Sequence, residues 1–264
     1  MPLFKYVNPG RVDVIQNLAI RFSPPEEFND PFELLPHMKI VETREWIDKA
    51  KRHVVSESKK KLPHLSEEEV ERIFLQRYPQ RIPTQKRIAL EIARQTARLN
   101  RILSLCKTAP DDSRALLMWA HYTQDHAGMV LEFDDAHAWL RWHDYKKGHS
   151  HNRADVIYSA KRAEWNDEFP ADEFLYTKSE HWFYEQEVRL MRFAGDKDFD
   201  TSKVDALVKF PADLLRSVTL GVNNTTEKAV RDALNAKPDL LHVVLNRADL
   251  HPDEYRLTLT VLPR

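Results

Sequence analysis

The stretch Trp182-Phe183-Tyr184-Glu185-Gln186-Glu187-Val188-Arg189-Leu190-Met191-Arg192-Phe193 alternates, in its later part, between charged and apolar side chains. That period of two is the signature of a strand. Side chains two apart on a strand share a face, so Glu185, Glu187 and Arg189 are expected to project together. Tyr184, Gln186, Val188 and Leu190 supply the opposite face. Two carboxylates at this spacing repel each other unless a cation or water relieves them, which raises at least one pKa. Two readings fit: an amphipathic strand with its charged side in water, and a carboxylate pair in a catalytic cleft.

The flanking chain sets this strand in an α+β context. Pro2-Leu3-Phe4-Lys5-Tyr6-Val7 reads as a strand closed by Asn8-Pro9-Gly10. A short helix follows through Val12 and Ile15, then a strand from Leu18 to Ser23 stopped by Pro24 and Pro25. Further strands are expected at Ile102 to Cys106, Gly128 to Phe133, Ala154 to Tyr158, Ser217 to Gly221, near Leu241 to Leu245, and at Tyr255 to Val261. Short helices are expected at Arg114 to Tyr122, through Trp139 and Trp142, and at Thr226 to Leu234. No regular βαβ period links them, which points to α+β. The expectation is a single domain over 1–264 with a helical insertion at 41–101. That insertion opens a helix with the capping box Ser66-Glu67-Glu68-Glu69 and carries 15 Lys/Arg against 9 Asp/Glu.

Composition excludes several classes. Lys+Arg (40) and Asp+Glu (41) nearly cancel over the 264 residues, so no global basic field marks a bulk nucleic-acid or membrane binder. Five glycines include no Walker-type phosphate loop and no Gly-x-Gly-x-x-Gly, against a nucleotide-binding NTPase or Rossmann dehydrogenase. One cysteine, Cys106, precludes an internal disulfide framework and multi-cysteine metal sites. The start, Met1-Pro2-Leu3-Phe4-Lys5, lacks a signal-peptide core, so a soluble cytoplasmic protein is expected, with signal-independent export left open.

Three other groups could carry chemistry. Trp119 and Tyr122, three apart on one helix, share a face as core or as a ligand platform, and His126 stands where a loop enters a strand at Gly128. Asn29-Asp30-Pro31-Phe32-Glu33 is a bend built by Asx chemistry, but two bulky apolar residues, Phe28 and Phe32, flank it, as if it lay against the core. Histidines 137, 143, 149 and 151 with Asp155 invite a metal reading. The intervening Lys146, Lys147 and Arg153 read instead as a positively charged loop, and no metal site is expected.

Taken in order, Phe4-Lys5-Tyr6, Phe22-Ser23-Pro24, Asn29-Asp30-Pro31-Phe32, Met118-Trp119 with Tyr122, and Trp182 with Glu185, Glu187 and Arg189 resemble a bacterial domain family of unknown function. Its signatures are Asn-Asp-Pro-Phe, Met-Trp-x-x-Tyr and Trp-x-x-Glu-x-Glu-x-Arg. More distantly, the order of the Lys5 strand, the Ser104-Leu105-Cys106 strand and Glu185-Gln186-Glu187 is similar to that of ADP-ribosyltransferases. Lys5 stands where those enzymes carry Arg or His, and Ser104-Leu105-Cys106 stands for Ser-Thr-Ser. The resemblance implies a central mixed or antiparallel split sheet and NAD as substrate, with no metal. It makes Glu187 the catalytic carboxylate and Glu185 its acceptor-side partner. Lys5, Tyr6, Ser104, Trp119, Tyr122, His126 and Arg189 would bind NAD, and Asn29 and Asp30 would shape the site. The acceptor would be a macromolecule, protein or nucleic acid, and the role that of an effector, toxin or defence protein. Two alternatives stand beside it: a non-catalytic ligand-binding or sensor module, and a nucleic-acid-binding or -processing protein using Arg94, Arg98 and Arg101 of the basic lobe.

Overall fold

The computed structural model describes residues 1–38, 48, 51–57, 64–141, 151–165, 172–193 and 206–263. Trp142, His143 and His149, and much of the 41–66 stretch, lie outside the described residues. The chain divides into two compact units, one of Met1–Glu33, Arg98–Ala160 and Tyr176–Arg264, the other of Leu34–Ala97 and Lys161–Leu175.

In chain order the strands are β1 (Leu3–Val7), β2 (Ala19–Phe22), β3 (His37–Met38), β4 (Asn100–Cys106), β5 (Met129–Phe133), β6 (His151–Asp155) and β7 (Ile157–Ser159). They continue as β8 (Glu164–Trp165), β9 (Thr177–Ser179), β10 (Glu187–Phe193), β11 (Ala206–Lys209), β12 (Leu215–Leu220), β13 (Val244–Leu250) and β14 (Leu257–Val261). The helices used below are α1 (Asp13–Asn17), α2 (Glu67–Arg98), α3 (Ala115–Tyr122) and α4 (Glu227–Asn235). Of the helix expected through Trp139 and Trp142, the described residues form Ala138–Arg141.

The larger unit is built on one eight-stranded sheet in the order β14-β13-β12-β5-β1-β4-β10-β6. β12 and β13 run parallel and the other neighbours antiparallel, so the sheet is mixed and the class α+β. In place of the expected split, the sheet is continuous in its hydrogen bonding. Its thinnest joint is between β1 and β4, which share only the register pair Phe4↔Cys106, whereas β1 and β5 share five. Alternation along the strands drives one face into an aliphatic core of Leu103, Leu105, Leu131, Val188, Leu190 and Val218. α4 closes that core with Val230 and Leu234. A second cluster, around Phe4, Tyr6, Met118 and Trp119, lies under α3.

Two of the five glycines are dictated by close approach. A Cβ at Gly128 would stand 2.0 Å from Val7 O, and one at Gly221 would stand 2.1 Å from His126 O. No side chain fits there.

In the smaller unit the capping box forms as expected: Glu69 N donates to Ser66 Oγ (3.2 Å) and Ser66 N donates to Glu69 Oε2 (2.9 Å). Val70 and Phe74, one turn apart on α2, are buried together. β3 pairs with β8 in parallel. Among the basic residues of the nucleic-acid alternative, Arg98 binds Glu26 (3.0 Å) and Arg101 donates to two backbone carbonyls. No helix among the described residues is long and apolar enough to cross a membrane.

Candidate active site

Glu185 and Glu187 do meet, but not as neighbours on one strand. Glu185 ends a 3-10 helix over Glu180–Glu185, and β10 begins only at Glu187. Gln186 between them is left-handed, with φ 45° and ψ 52°. A non-glycine residue in that region costs about 1–2 kcal/mol. Two hydrogen bonds hold it there: Gln186 N donates to Phe183 O (3.2 Å), and Lys107 N donates to Gln186 O (3.1 Å). The strained residue turns Glu185 back toward Glu187.

Along β10 the alternation holds, yet both faces are buried. Val188 and Leu190 enter the aliphatic core, while Glu187 and Arg189 stand opposite Cys106 and Ser104 of β4. Glu187 is 4% exposed and Arg189 0%, so the charged face is not a solvated one. The bend after β2 covers it. Arg189 Nε donates to Glu187 Oε1 (2.9 Å), and its Nη2 donates to both Glu187 Oε2 (3.1 Å) and Glu33 Oε1 (2.6 Å). The guanidinium also lies over the Phe28 ring, 5.8 Å from its centroid. Of the two apolar residues flanking the bend, Phe28 therefore faces inward, whereas Phe32 is exposed.

Lys178 on β9 completes the ion cluster. Its Nζ donates to Glu185 Oε2 (2.7 Å) and stands 3.5 Å from Glu187 Oε2 and 3.6 Å from Glu33 Oε2. It also sits 4.7 Å from the Trp182 ring centroid. Tyr122, the last residue of α3, donates its hydroxyl to Glu185 Oε1. Glu187 N donates to the Tyr158 hydroxyl (2.7 Å).

The β1–β4 seam, the bend and this cluster enclose a cavity of about 180 Å³. Lys5, Tyr6 and Ser104 line it from the seam, Asn29 and Asp30 from the bend, and Tyr122, Glu185 and Glu187 from the cluster. These eight residues are thus brought to one concave surface. Lys5 Nζ donates to Ser104 O (2.8 Å), whereas the Tyr6 hydroxyl is committed to Thr108 O (3.2 Å) and offers the cavity its ring.

Three expected binding residues sit elsewhere. Trp119 does not line the cavity: it is fully buried, its Nε1 donates to Pro110 O (2.9 Å), and its ring meets the edge of Tyr6 at 5.4 Å. His126 stacks on Trp119 (6.2 Å, 11°) away from the cavity wall, in a turn where Gln124, Asp125 and His126 are all left-handed. Sharing a helix face with Tyr122 did not bring Trp119 to the cavity, because its large ring fills the core beneath α3. Arg189 stands behind the wall and acts by positioning Glu187 and Glu33.

Lys178, Glu33, Tyr158 and Thr108 escaped the sequence reading. Glu33 left a trace, an acid in a bend flanked by aromatics. Lys178, in a polar loop, left no pattern.

The cluster separates its carboxylates electrostatically. Burial pushes the Glu187 carboxyl up, but the adjacent Arg189 and Lys178 charges outweigh it and hold it down at about 2. Glu185 and Glu33 lie above the ordinary carboxylate range, because burial outweighs Lys178 at the first and Arg189 and Lys178 at the second. Burial lowers the Lys5 amine, while the three carboxylates around Lys178 raise that one against its own burial. Burial and Glu185 both push the Tyr122 phenol upward, so it stays a donor. The two carboxyls are thus shifted in opposite directions, Glu187 toward its anion and Glu185 toward its acid form. Such divergence within one cavity is how acid, base and electrostatic roles are divided.

No curated protein and no solved structure matches the chain. A family model described as a protein of unknown function (DUF2971) matches residues 118–190, the stretch that carries Tyr122, Lys178, Trp182, Glu185, Glu187 and Arg189.

Proposed function

We propose that the chain is an ADP-ribosyltransferase-like enzyme that cleaves the nicotinamide–ribose bond of NAD and transfers ADP-ribose to a macromolecule. The observation that carries this reading is the pair Glu185 and Glu187, pushed apart in pKa within one aromatic-lined cavity. When the bond from ribose C1′ to the pyridinium nitrogen breaks, its electron pair goes to nicotinamide and positive charge develops on the ribose. Glu187, ionised at all ordinary pH and held by two hydrogen bonds from Arg189, would stabilise that charge. The acceptor nucleophile then bonds to C1′ and loses its proton to Glu185, which Tyr122 and Lys178 orient. At about 180 Å³ the cavity falls below the roughly 300–1,000 Å³ of pockets for drug-sized ligands, which suits the nicotinamide end of NAD rather than all of it.

The test is nicotinamide release and transfer of labelled ADP-ribose by wild type and Glu187→Gln, with protein and nucleic-acid acceptors offered separately. Loss of one transition-state electrostatic group predicts a fall of about 100-fold or more in the variant. If wild type consumes no NAD with either acceptor and NAD leaves its melting temperature unchanged, the reading is wrong.

A further inference from the structure

Two carboxylate oxygens in the cavity wall accept no hydrogen bond among the described residues. Asp30 is 7% exposed; its Oδ1 accepts from Phe32 N (2.8 Å), but its Oδ2 is enclosed and has no hydrogen-bond partner among the described residues. Glu33 gives Oε1 to Arg189, and its Oε2 is likewise enclosed with no hydrogen-bond partner, Lys178 Nζ standing 3.6 Å away. An acceptor buried in this way has lost its water without gaining a donor, and the loss is greater when it is charged. Both residues line the cavity, so the cavity is the open side from which a donor approaches them.

The charges point the same way. Glu27, also in the wall, is neutralised by Arg21 (2.6 Å). In formal charge the remaining carboxylates, Asp30, Glu33, Glu185 and Glu187, outnumber the nearby cations Lys5, Lys178 and Arg189 by one. A phosphate or carboxylate would add to that excess, and a neutral ring would not relieve it. Tyr6, Phe28, Tyr122 and Trp182 bring flat apolar surface to the same cavity.

We propose that Asp30 and Glu33 recognise a planar organic cation bearing amide N–H donors. Under the function proposed above this is the nicotinamidium end of NAD; the naming of the ligand, though not the site, rests on that reading. The positive ring offsets the surplus charge, and the two N–H bonds of a carboxamide supply donors to the two oxygens that accept no hydrogen bond. Asp30 is then a specificity residue, distinct in role from Glu185 and Glu187.

Binding of three probes by calorimetry tests this. 1-Methylnicotinamide carries the charge and the amide, nicotinamide the amide alone, and 1-methylnicotinate the charged ring with a carboxylate in place of the amide. The expected order is 1-methylnicotinamide tightest, nicotinamide at least about tenfold weaker, and 1-methylnicotinate without binding. Asp30→Asn keeps the oxygen that caps Phe32 N but turns the free acceptor into a donor, so it should weaken 1-methylnicotinamide at least about tenfold. Equal binding of the charged and neutral amides, no binding by any probe, or an Asp30→Asn affinity within about twofold of wild type overturns the proposal. If that variant does not fold, the wild-type series decides. NAD turnover separates the two claims. Cation binding without NAD consumption sinks the transferase reading alone, whereas NAD consumption with KM unchanged by Asp30→Asn sinks the recognition role alone.

Discussion

Leu131 on β5 and Arg189 on β10 are each 0% exposed in the same sheet, yet they are buried by opposite means. Around Leu131 the neighbours are aliphatic, with Val218 beside it on β12 and Val188 and Leu190 in the same cluster. That half gains roughly 25 cal/mol for each Å² of apolar surface removed from water. Around Arg189 the chain desolvates Glu187, Glu33 and Glu185 with Lys178, at a penalty that their mutual attraction repays only if the geometry is good. Hydrophobic residues of the same volume would commonly serve stability as well or better. The half with the ions also carries the left-handed Gln186, the enclosed carboxylate oxygens and the thin β1–β4 joint. Costs concentrated in one place are the mark of a site rather than of a core.

The largest expected effect comes from giving both halves the same side chain. Arg189→Met keeps bulk but strands Glu187 and Glu33 without their counter-charge, and should destabilise by about 3–5 kcal/mol. Leu131→Met conserves volume and should cost less than about 1.5 kcal/mol. Chemical denaturation of the two variants measures both. Equal losses would mean that the ion cluster is solvated and that the contrast between the halves is false.

The aliphatic half was legible in the sequence, and the ionic half only in part. Period-two alternation and turn residues located β1, β2, β4, β5 and β12, and Ser66 to Glu69 announced the start of α2. These signals are local, so they survive without tertiary information. The expectation that Glu185 and Glu187 share a strand failed because alternation cannot register one left-handed residue at Gln186. Whether a charged strand face meets water or another segment also depends on distant chain. Here Glu33, 156 residues from Arg189, decides it. Lys178 enters the site through the pairing of β9 with β7, a contact for which spacing gives no hint.

A smaller effect is expected from Tyr122→Phe, which deletes one hydrogen bond at the edge of the ion cluster while leaving the ring in place. Glu185 retains Lys178, so the loss should be near the lower end for a bond to a charged group, about 1.5 kcal/mol, and NAD turnover should fall about tenfold. Turnover unchanged in Tyr122→Phe would show that Glu185 needs no orienting partner and would make Tyr122 a packing residue of the cavity wall.

The smallest net effect should be that of acid on the cluster, because its carboxylates oppose one another. Glu187 is held at about 2, below the ordinary 4.5, so its contribution to stability is present above 4.5 and is lost as pH falls toward 2. Glu185 and Glu33 are raised above 4.5, so their contribution is fully present below 4.5 and is lost as pH rises through their raised values. Comparison of melting curves for wild type, Glu187→Gln and Glu185→Gln over this range separates the two. The stability difference between wild type and Glu187→Gln should shrink on acidification below 4.5, whereas that between wild type and Glu185→Gln should grow as pH is lowered from neutrality toward 4.5. Leu131→Met, with no titrating group involved, should parallel wild type throughout. Two carboxylate differences of the same sign would mean that Lys178 and Arg189 do not distinguish Glu187 from Glu185, and the division between a carboxyl held toward its anion and one held toward its acid form would fall with it.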